Sequence, residues 1–322
     1  MKLATLCLMT SLTAGVPLAA FAQAGYPAKP VRLIIGFPPG SAADVVARIF
    51  AAKLGDGVKQ TIVVENRPGA GSNIAAEAVV RAPADGYTLF MGSIANTINA
   101  SLYKNMSFDF GRDLAPIIGV ALVPNLLVVH PSMPVRSVKE LVAVAKSRPN
   151  EIFYGSSGNG TSPHLSAVLF GSMAGIKIVH VPYKGSPQAV TDLVAGRVQL
   201  MFAPASTALP FIKAGKLRAL AASTAKRAAI APDLPTVDEA GIKGFETTIW
   251  FALYAPEATP RDIIGRINGA SVQALADADL VQKFAAQGIE PTGGTAAQAA
   301  EFTRSELGKW AKVVRESGAK LD

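Results

Sequence analysis

Short β-branched runs alternate with helix-like periodicity along the chain from residue 30 onward. Residues 31–37 predict a strand that ends at Pro38-Pro39-Gly40, and apolar positions spaced three or four apart then predict a helix over residues 42–50. The same alternation predicts further strands at 61–64, 88–91, 126–129, 152–154, 178–181, 198–202 and 217–221. Strands and helices that alternate in this way are typical of an α/β fold with largely parallel sheets.

Two longer apolar stretches, residues 117–129 and 249–255, interrupt this rhythm. Each is long enough for an extended strand that runs from one sheet to another. If both cross, the chain leaves its first lobe near residue 125 and returns near residue 250. We therefore expect two domains, the first made of residues 25–125 plus 252–322 and the second of residues 126–251.

The C-terminal segment of about 45 residues has the apolar pattern of an amphipathic helix. Its apolar face carries Leu307, Trp310, Ala311 and Val314. Since a helix with one apolar face must bury it, we expect this segment to pack back onto the first domain.

The N-terminus has the pattern of a secretory signal. Lys2 gives a positive start, residues 3–21 are largely apolar, and Ala22-Gln23-Ala24 matches an A-x-A cleavage site. Residues 1–24 are therefore predicted to be removed after Ala24, which places the mature protein in the periplasm. Later apolar runs are shorter than the roughly 20 residues needed to span a membrane.

The charge balance limits the class of partner. The 322 residues include 31 Lys and Arg against 23 Asp and Glu, a formal net charge of +8. The basic residues are scattered, with no run longer than Lys226-Arg227, so nucleic acid is not an expected partner. A basic surface of this kind is suited to steering small anions.

The residues that usually carry catalysis do not form a known pattern. The three histidines, His130, His164 and His180, lack metal-ligand spacing, and the single cysteine, Cys7, lies in the predicted signal. Residues 155–158 are one residue short of the serine-hydrolase elbow, and residues 69–74 lack the third glycine of a dinucleotide-binding loop. We therefore predict no catalytic residue, no metal and no cofactor.

One glycine-rich loop has the composition of an anion-binding site. Loop 155–163 follows a predicted strand and precedes a predicted helix, so its backbone N–H groups and hydroxyls lie where the helix dipole favours negative charge. It lacks the lysine that a nucleotide requires, which favours a carboxylate; the alternative is a turn that only caps the helix. The candidate ligand-binding residues here are Ser156, Ser157, Gly158, Asn159, Gly160, Thr161 and Ser162.

Two more strand-to-helix loops add candidates. In an open α/β sheet, ligands bind beyond the carboxyl ends of the strands, where both of these loops are expected to lie. Loop 37–44 contributes Phe37, Gly40, Ser41, Ala42 and Asp44. Loop 92–97 contributes Ile94 and Asn96.

A set of short motifs runs in order through nearly the whole mature chain. They are Gly36-Phe37-Pro38-Pro39-Gly40, Asp44-Val45-Val46-Ala47-Arg48, Val64-Glu65-Asn66-Arg67-Pro68-Gly69-Ala70-Gly71, Asp85-Gly86-Tyr87-Thr88-Leu89, residues 154–164, Val181-Pro182-Tyr183-Lys184-Gly185, Ala214-Gly215-Lys216-Leu217-Arg218-Ala219-Leu220 and Pro235-Thr236-Val237. In these motifs the chain resembles the extracytoplasmic substrate-binding proteins of the tripartite tricarboxylate transporter family.

This resemblance implies a two-lobed periplasmic binding protein fold of type II-like topology. It implies that the lobes are joined by crossing strands and close on a ligand in the cleft. It further implies that one ligand carboxylate is held mainly by backbone N–H groups, hydroxyls and water. The implied partners are a small carboxylate and membrane permease subunits, and we expect the receptor itself to be a monomer.

The chain departs from the family pattern at three positions. Ser41 stands where a second glycine is common, Ala42 where a small hydroxyl residue is common, and Ala203 where Asp is common. Because alanine cannot pair with an ammonium group, we expect free amino acids to be disfavoured. The room beside Ala203, with Phe202, Phe37 and Trp250 as apolar walls, predicts a carboxylate or dicarboxylate whose middle is apolar, either aliphatic or aromatic.

Three other functions remain open from the residues alone. One is a receptor that serves a different uptake system. Another is an exported sensor or signalling receptor with the same cleft. The third is an exported enzyme that would use Asp44, His164 or Ser156.

Overall fold

The computed structural model describes residues 25–317, and the predicted signal peptide lies outside them. The strands are β1 (Val31–Ile35), β2 (Ile62–Asn66), β3 (Thr88–Ser93), β4 (Leu114–Val129), β5 (Phe153–Ser156), β6 (Val179–Pro182), β7 (Leu200–Pro204), β8 (Arg218–Ala222), β9 (Thr248–Pro256) and β10 (Glu290–Gly293). The helices are α1 (Ala42–Val58), α2 (Asn73–Val80), α3 (Ile94–Leu102), α4 (Val138–Ser147), α5 (Ser162–Ala174), α6 (Ser186–Val194), α7 (Ala205–Lys213), α8 (Arg261–Ala276), α9 (Ala278–Ala286) and α10 (Ala296–Ser317). The predicted α/β class is confirmed.

The sheet is built from two parallel sections joined by antiparallel strands. Its order is β2-β1-β3-β9-β4-β7-β5-β6, with β8 and β10 also paired to β4. Strand β1 is parallel to β2 and β3, and β5 is parallel to β6 and β7. The parallel sections arise where a helix returns the chain to the start of the sheet, as expected for βαβ connections.

Strand β4 joins the two sections. Up to Pro124 it pairs with β9, and from Asn125 onward it pairs with β7 and β8. Strand β9 pairs with β3 and β4, so it lies within the first section. The second crossing is made just before β9, where the N–H of Thr247 still donates to Ser223 O.

The buried apolar residues divide at the same places along the chain. One core contains residues 31–123 and 249–314 almost exclusively, and two smaller cores are drawn from residues 126–245. Trp310 and Val314 of α10 lie in the first core, as predicted for the C-terminal segment. The exact domain boundaries stay a prediction.

The topology places five helix starts near one another. Helices α1 and α3 follow β1 and β3, and helices α5, α6 and α7 follow β5, β6 and β7. Since ligands of open α/β sheets bind beyond the carboxyl ends of the strands, this is the region to search. In the part of the chain that the structure describes, every helix is too short or too polar to cross a membrane.

Candidate ligand-binding site

A small cavity of about 30 Å³, enough for one or two water molecules, lies between the two sections of the sheet. It is lined by Phe37, Ser41, Ala42, Ala43, Ser93, Ile94, Ala95, Ser157, Thr161, Ser162, Pro163, Ser186, Pro204, Ile249 and Phe251. Loops 37–44, 92–97 and 155–163, which the sequence singled out separately, therefore meet here.

Five helix N-termini surround this cavity. Ser41, Ser93 and Thr161 are the N-cap residues of α1, α3 and α5, Ser186 begins α6, and Pro204 precedes α7. The N-terminus of a helix carries a partial charge of roughly +0.5 and unpaired N–H groups. Among the described residues, none of those that line the cavity is charged. The arrangement is suited to an anion and offers nothing to neutralise a cation.

Loop 37–44 is braced by a charged network behind the cavity. The N–H of Gly40, which has a φ of +75°, donates to Asp44 Oδ2 at 3.0 Å. Arg48 Nε and Asn66 Nδ2 both donate to Asp44 Oδ1 at 2.9 Å, and Asn66 Nδ2 also donates to Phe37 O. Burial alone would raise the pKa of Asp44, but these hydrogen bonds outweigh it and the pKa is lowered.

Asp44 therefore supports the site instead of lining it. Its carboxylate is turned towards Gly40 and Arg48 rather than the cavity, so Asp44 shapes the loop and does not line the site. Gly40 likewise lies outside the lining, because its N–H is already bonded to Asp44.

Loop 155–163 is braced by neutral groups. Gly158 N–H donates to Ser156 Oγ at 3.0 Å, and Gly160 N–H donates to His164 Nδ1 at 3.2 Å. The hydroxyl of Thr161 donates to Gly158 O at 2.7 Å. Because a hydroxyl has one proton, Thr161 cannot at the same time donate to a ligand, although it lines the cavity.

The candidates of this loop fall into two groups. Ser157, Thr161 and Ser162 line the cavity. Four others do not line it, because they hold the loop from behind or at its turn: Ser156, Gly158, Asn159 and Gly160.

At the start of α3, one predicted residue lines the site and one only supports it. Ile94 lines the cavity, whereas Asn96 Oδ1 accepts the N–H of Ser93 at 3.0 Å and so caps the helix. Ser93 itself is buried in the cavity wall, where it and Asn96 form a capping box at the start of α3.

The apolar wall differs from the prediction by one residue along β9. Side chains of a strand alternate between its two faces. Ile249 and Phe251 point to the cavity, and Trp250 points away, where its Nε1 donates to Glu306 Oε2 of α10 at 2.7 Å. Trp250 is therefore not a wall of this cavity.

Two further candidate ligand-binding residues, both on β7, also lie outside the cavity lining. Phe202 packs against Phe170 and Phe245 in a buried core, with ring centroids 5.6 Å and 5.5 Å away. Ala203 faces a different core on the other side of the sheet. The strand reaches the cavity only at its last residue, Pro204.

The two sections of the sheet approach each other closely at two places. A Cβ on Gly185 would lie 2.8 Å from Pro38 Cδ and would overlap Pro38 Cγ, so the two loops pack with no space for a side chain. A Cβ on Gly160 would overlap the side chain of Asn99 on α3. The two sections are thus in direct contact at these two places.

Sequence reasoning missed several lining residues, of which Ser93 and Ser186 are the polar ones. The loop of Ser186, residues 183–187, repeats the strand, glycine, hydroxyl residue and helix order of loops 37–44 and 155–163, and that order could have identified it. The remaining residues lack such a signal because they are small or apolar: Ala43, Ala95, Pro163, Pro204, Ile249 and Phe251.

Comparison with known proteins adds relatives of the whole chain. The family model described as "Tripartite tricarboxylate transporter family receptor" matches residues 46–319. Protein BugT of Bordetella pertussis is 39% identical over 298 residues, which is 92% of this chain and 91% of that protein.

Solved structures are also similar to this chain over nearly its whole length. Rpa4515 of R. palustris with adipate has a TM-score of 0.89 and 40% identity, covering 92% of this chain and all of that one. MatC of Rhodopseudomonas palustris with bound malate has a TM-score of 0.85 and 27% identity, covering 90% and 100% of the two chains. These neighbours confirm the predicted periplasmic binding protein fold.

Proposed function

We propose, because the chain belongs to the receptor family of the tripartite tricarboxylate transporters, that it captures a small carboxylate in the periplasm for the membrane permease of such a transporter. The ligand class we propose is a dicarboxylate or aromatic carboxylate with an apolar middle.

The observation that carries this proposal is the set of five helix N-termini around a cavity without charged lining residues among those described. A carboxylate gains from the N–H groups and dipoles there. An ammonium group would be buried without an acidic partner, which costs several kcal/mol. The similar protein Rpa4515 holds adipate, which is a dicarboxylate with an apolar middle.

The walls support the apolar middle of the ligand. Phe37, Ile94, Ile249 and Phe251 supply the large apolar side chains of the lining. A carbon chain or ring between two carboxylates would contact them, while the carboxylates reach the helix starts.

Calorimetric titration tests the ligand class. We expect adipate or benzoate to bind more tightly than aspartate or glutamate. Tightest binding by an amino acid would contradict the proposal, since it would require an acidic partner that the lining does not contain.

Delivery to a permease needs a separate test. We expect the receptor to bind vesicles that contain its cognate permease and to make ligand uptake depend on its presence. Uptake that is the same without the receptor would contradict transport and favour the sensor alternative.

The exported, monomeric state is also a proposal. N-terminal sequencing of protein from the periplasm should begin at Gly25, and light scattering should give the mass of one mature chain. A mature protein that retains residues 3–21 would contradict the export prediction.

A further inference from the structure

Two stacked histidines lie behind loop 155–163. The rings of His164 and His180 are 4.2 Å apart between centroids and 17° from parallel. Tyr154 stacks on the other face of His180, at 4.9 Å and 19°. Helix α5 and strands β5 and β6 each contribute one ring of this stack, so three elements pack together behind the loop.

Each histidine is linked by hydrogen bonds to one glycine of the loop, His164 directly and His180 through a serine hydroxyl. Gly160 N–H donates directly to His164 Nδ1. His180 Nε2 is hydrogen-bonded to Ser156 Oγ at 2.6 Å, and this hydroxyl accepts the N–H of Gly158. Both glycines have positive φ, +116° and +72°, so the backbone turns sharply at the two places where the imidazoles hold it.

The contact made by His164 requires a neutral imidazole. An imidazolium carries protons on both nitrogens and cannot accept from Gly160 N–H. Burial lowers the pKa of His180 to about 4, which keeps this ring neutral near pH 7. The two rings also lie too close for both to carry charge without repulsion.

We propose that His164 and His180 are positioning residues of the ligand site, holding the amides of Gly158 and Gly160 away from the cavity so that Ser157, Thr161 and Ser162 face it. The inference rests on the proposed function, since it assumes that this loop binds the ligand. It goes beyond that function because it assigns a role to two residues that do not themselves line the cavity.

Substitutions of similar size can separate the hydrogen-bonding role of each histidine from its role in packing. Asn places its Oδ1 near the position of His Nδ1, whereas Leu fills similar space without an acceptor. His164→Asn should therefore preserve the bond from Gly160, and His164→Leu should abolish it. For His180, whose Nε2 makes the contact, Gln and Leu form the corresponding pair.

The first readout is adipate affinity by calorimetry. We expect His164→Leu to bind roughly tenfold to a hundredfold more weakly, because a buried N–H loses its acceptor, and His164→Asn to stay within about threefold of the native protein. His180→Leu and His180→Gln should show the same order. His130→Leu serves as control, since His130 lies outside the cavity and the loop.

The second readout needs no ligand. Amide exchange followed by NMR should be at least roughly tenfold faster at Gly160 in His164→Leu than in His164→Asn. If the Leu variant does not fold, His164→Gln replaces it, because Gln keeps polarity but moves the acceptor one bond further out. Gln should then exchange faster than Asn at Gly160.

The outcomes distinguish this inference from the proposed function. Native protein that binds no carboxylate would contradict the function, while the exchange measurement would still test the histidines. Equal affinity and equal exchange in the acceptor and non-acceptor variants would overturn the positioning role and leave the function intact.

Discussion

Loops 37–44 and 155–163 present helix starts to the same cavity but are held in different ways. Both contain a glycine with positive φ and a hydroxyl residue as N-cap. The first is braced by Asp44 and Arg48, a charged pair whose arginine is half-exposed, and the second by a stacked pair of histidines, of which His164 is buried. In loop 37–44 the arginine offsets the charge of the carboxylate acceptor, whereas loop 155–163 is held by acceptors that carry no charge.

The largest expected effect comes from breaking the charged brace. Asp44→Ala leaves Gly40 N–H, Arg48 and Asn66 without their shared acceptor, so we expect a loss of about 2–4 kcal/mol in the free energy of unfolding and more than roughly tenfold in affinity. Urea unfolding and calorimetry measure the two.

The control for this change is Asp262→Ala, which removes an exposed acidic residue from the first turn of α8. It should change stability little and affinity not at all. Native-like affinity in Asp44→Ala would show that loop 37–44 does not depend on its charged brace.

The contact between the first loop and the α6 start is the next target. Gly185 has extended backbone, with a φ of 164°, so Gly185→Ala adds no backbone strain and only inserts a methyl group against Pro38. We expect the sections to close incompletely and affinity to fall roughly tenfold, or about 1.4 kcal/mol.

Small-angle scattering with saturating adipate should show a less compact Gly185→Ala protein than the native one. Gly265→Ala is the matched control, because a Cβ there meets no atom within 4 Å. Unchanged affinity in Gly185→Ala would show that the ligand does not require this contact.

A smaller effect is expected in the second loop. Thr161→Val removes the hydrogen bond to Gly158 O, which should cost about 1 kcal/mol in stability and less than roughly tenfold in affinity. Thr191→Val, which removes a similar bond to Pro187 O on the exposed side of α6, should leave affinity unchanged. A loss beyond a hundredfold in Thr161→Val would mean that this hydroxyl donates directly to the ligand.

The smallest expected effect is a loss of stability of the folded protein as the pH falls. Because the pKa of His180 is lowered to about 4 from its ordinary 6.5, the unfolded chain takes up a proton below pH 6.5 that the folded protein does not. Stability should therefore fall as pH drops from 6.5 towards 4, with a Tm decrease attributable to His180 of roughly 2 °C over the first unit.

His180→Gln should remove this part of the acid sensitivity. The pKa of Asp44 is already below its ordinary 3.8, so its titration lies at lower pH and does not overlap. Identical melting profiles for the native and Gln proteins between pH 6.5 and 5.5 would contradict the assignment.

Local patterns were sufficient to locate the loops. Loops 37–44 and 155–163 could be found because glycine, proline and hydroxyl residues between a β-branched run and a helical pattern have few other uses. The motifs in these loops, together with the order of the other motifs along the chain, also pointed to the family resemblance. The predicted strands agree with the observed ones to within a few residues, since strand and helix periodicity are properties of neighbouring residues.

Local patterns could not predict which face of a strand meets the cavity. Trp250 and Phe202 are large and lie on strands near the cavity, yet both point into the packed interior. A shift of one residue along a strand exchanges its two faces, and which face meets the ligand depends on the other elements packed against it. The histidine pair is likewise invisible in sequence, because His164 and His180 meet only when α5 packs on β6.

The α/β class and the positions of the glycine-rich and hydroxyl-rich strand-to-helix loops could be predicted from the sequence, because they follow from contacts within a few residues. Only long-range packing brings five helix starts to one cavity, turns Asp44 away from it and makes Ile249 and Phe251 its wall. These outcomes depend on which elements pair through β4 and pack across the cleft, and such long-range contacts leave no periodic signal along the chain.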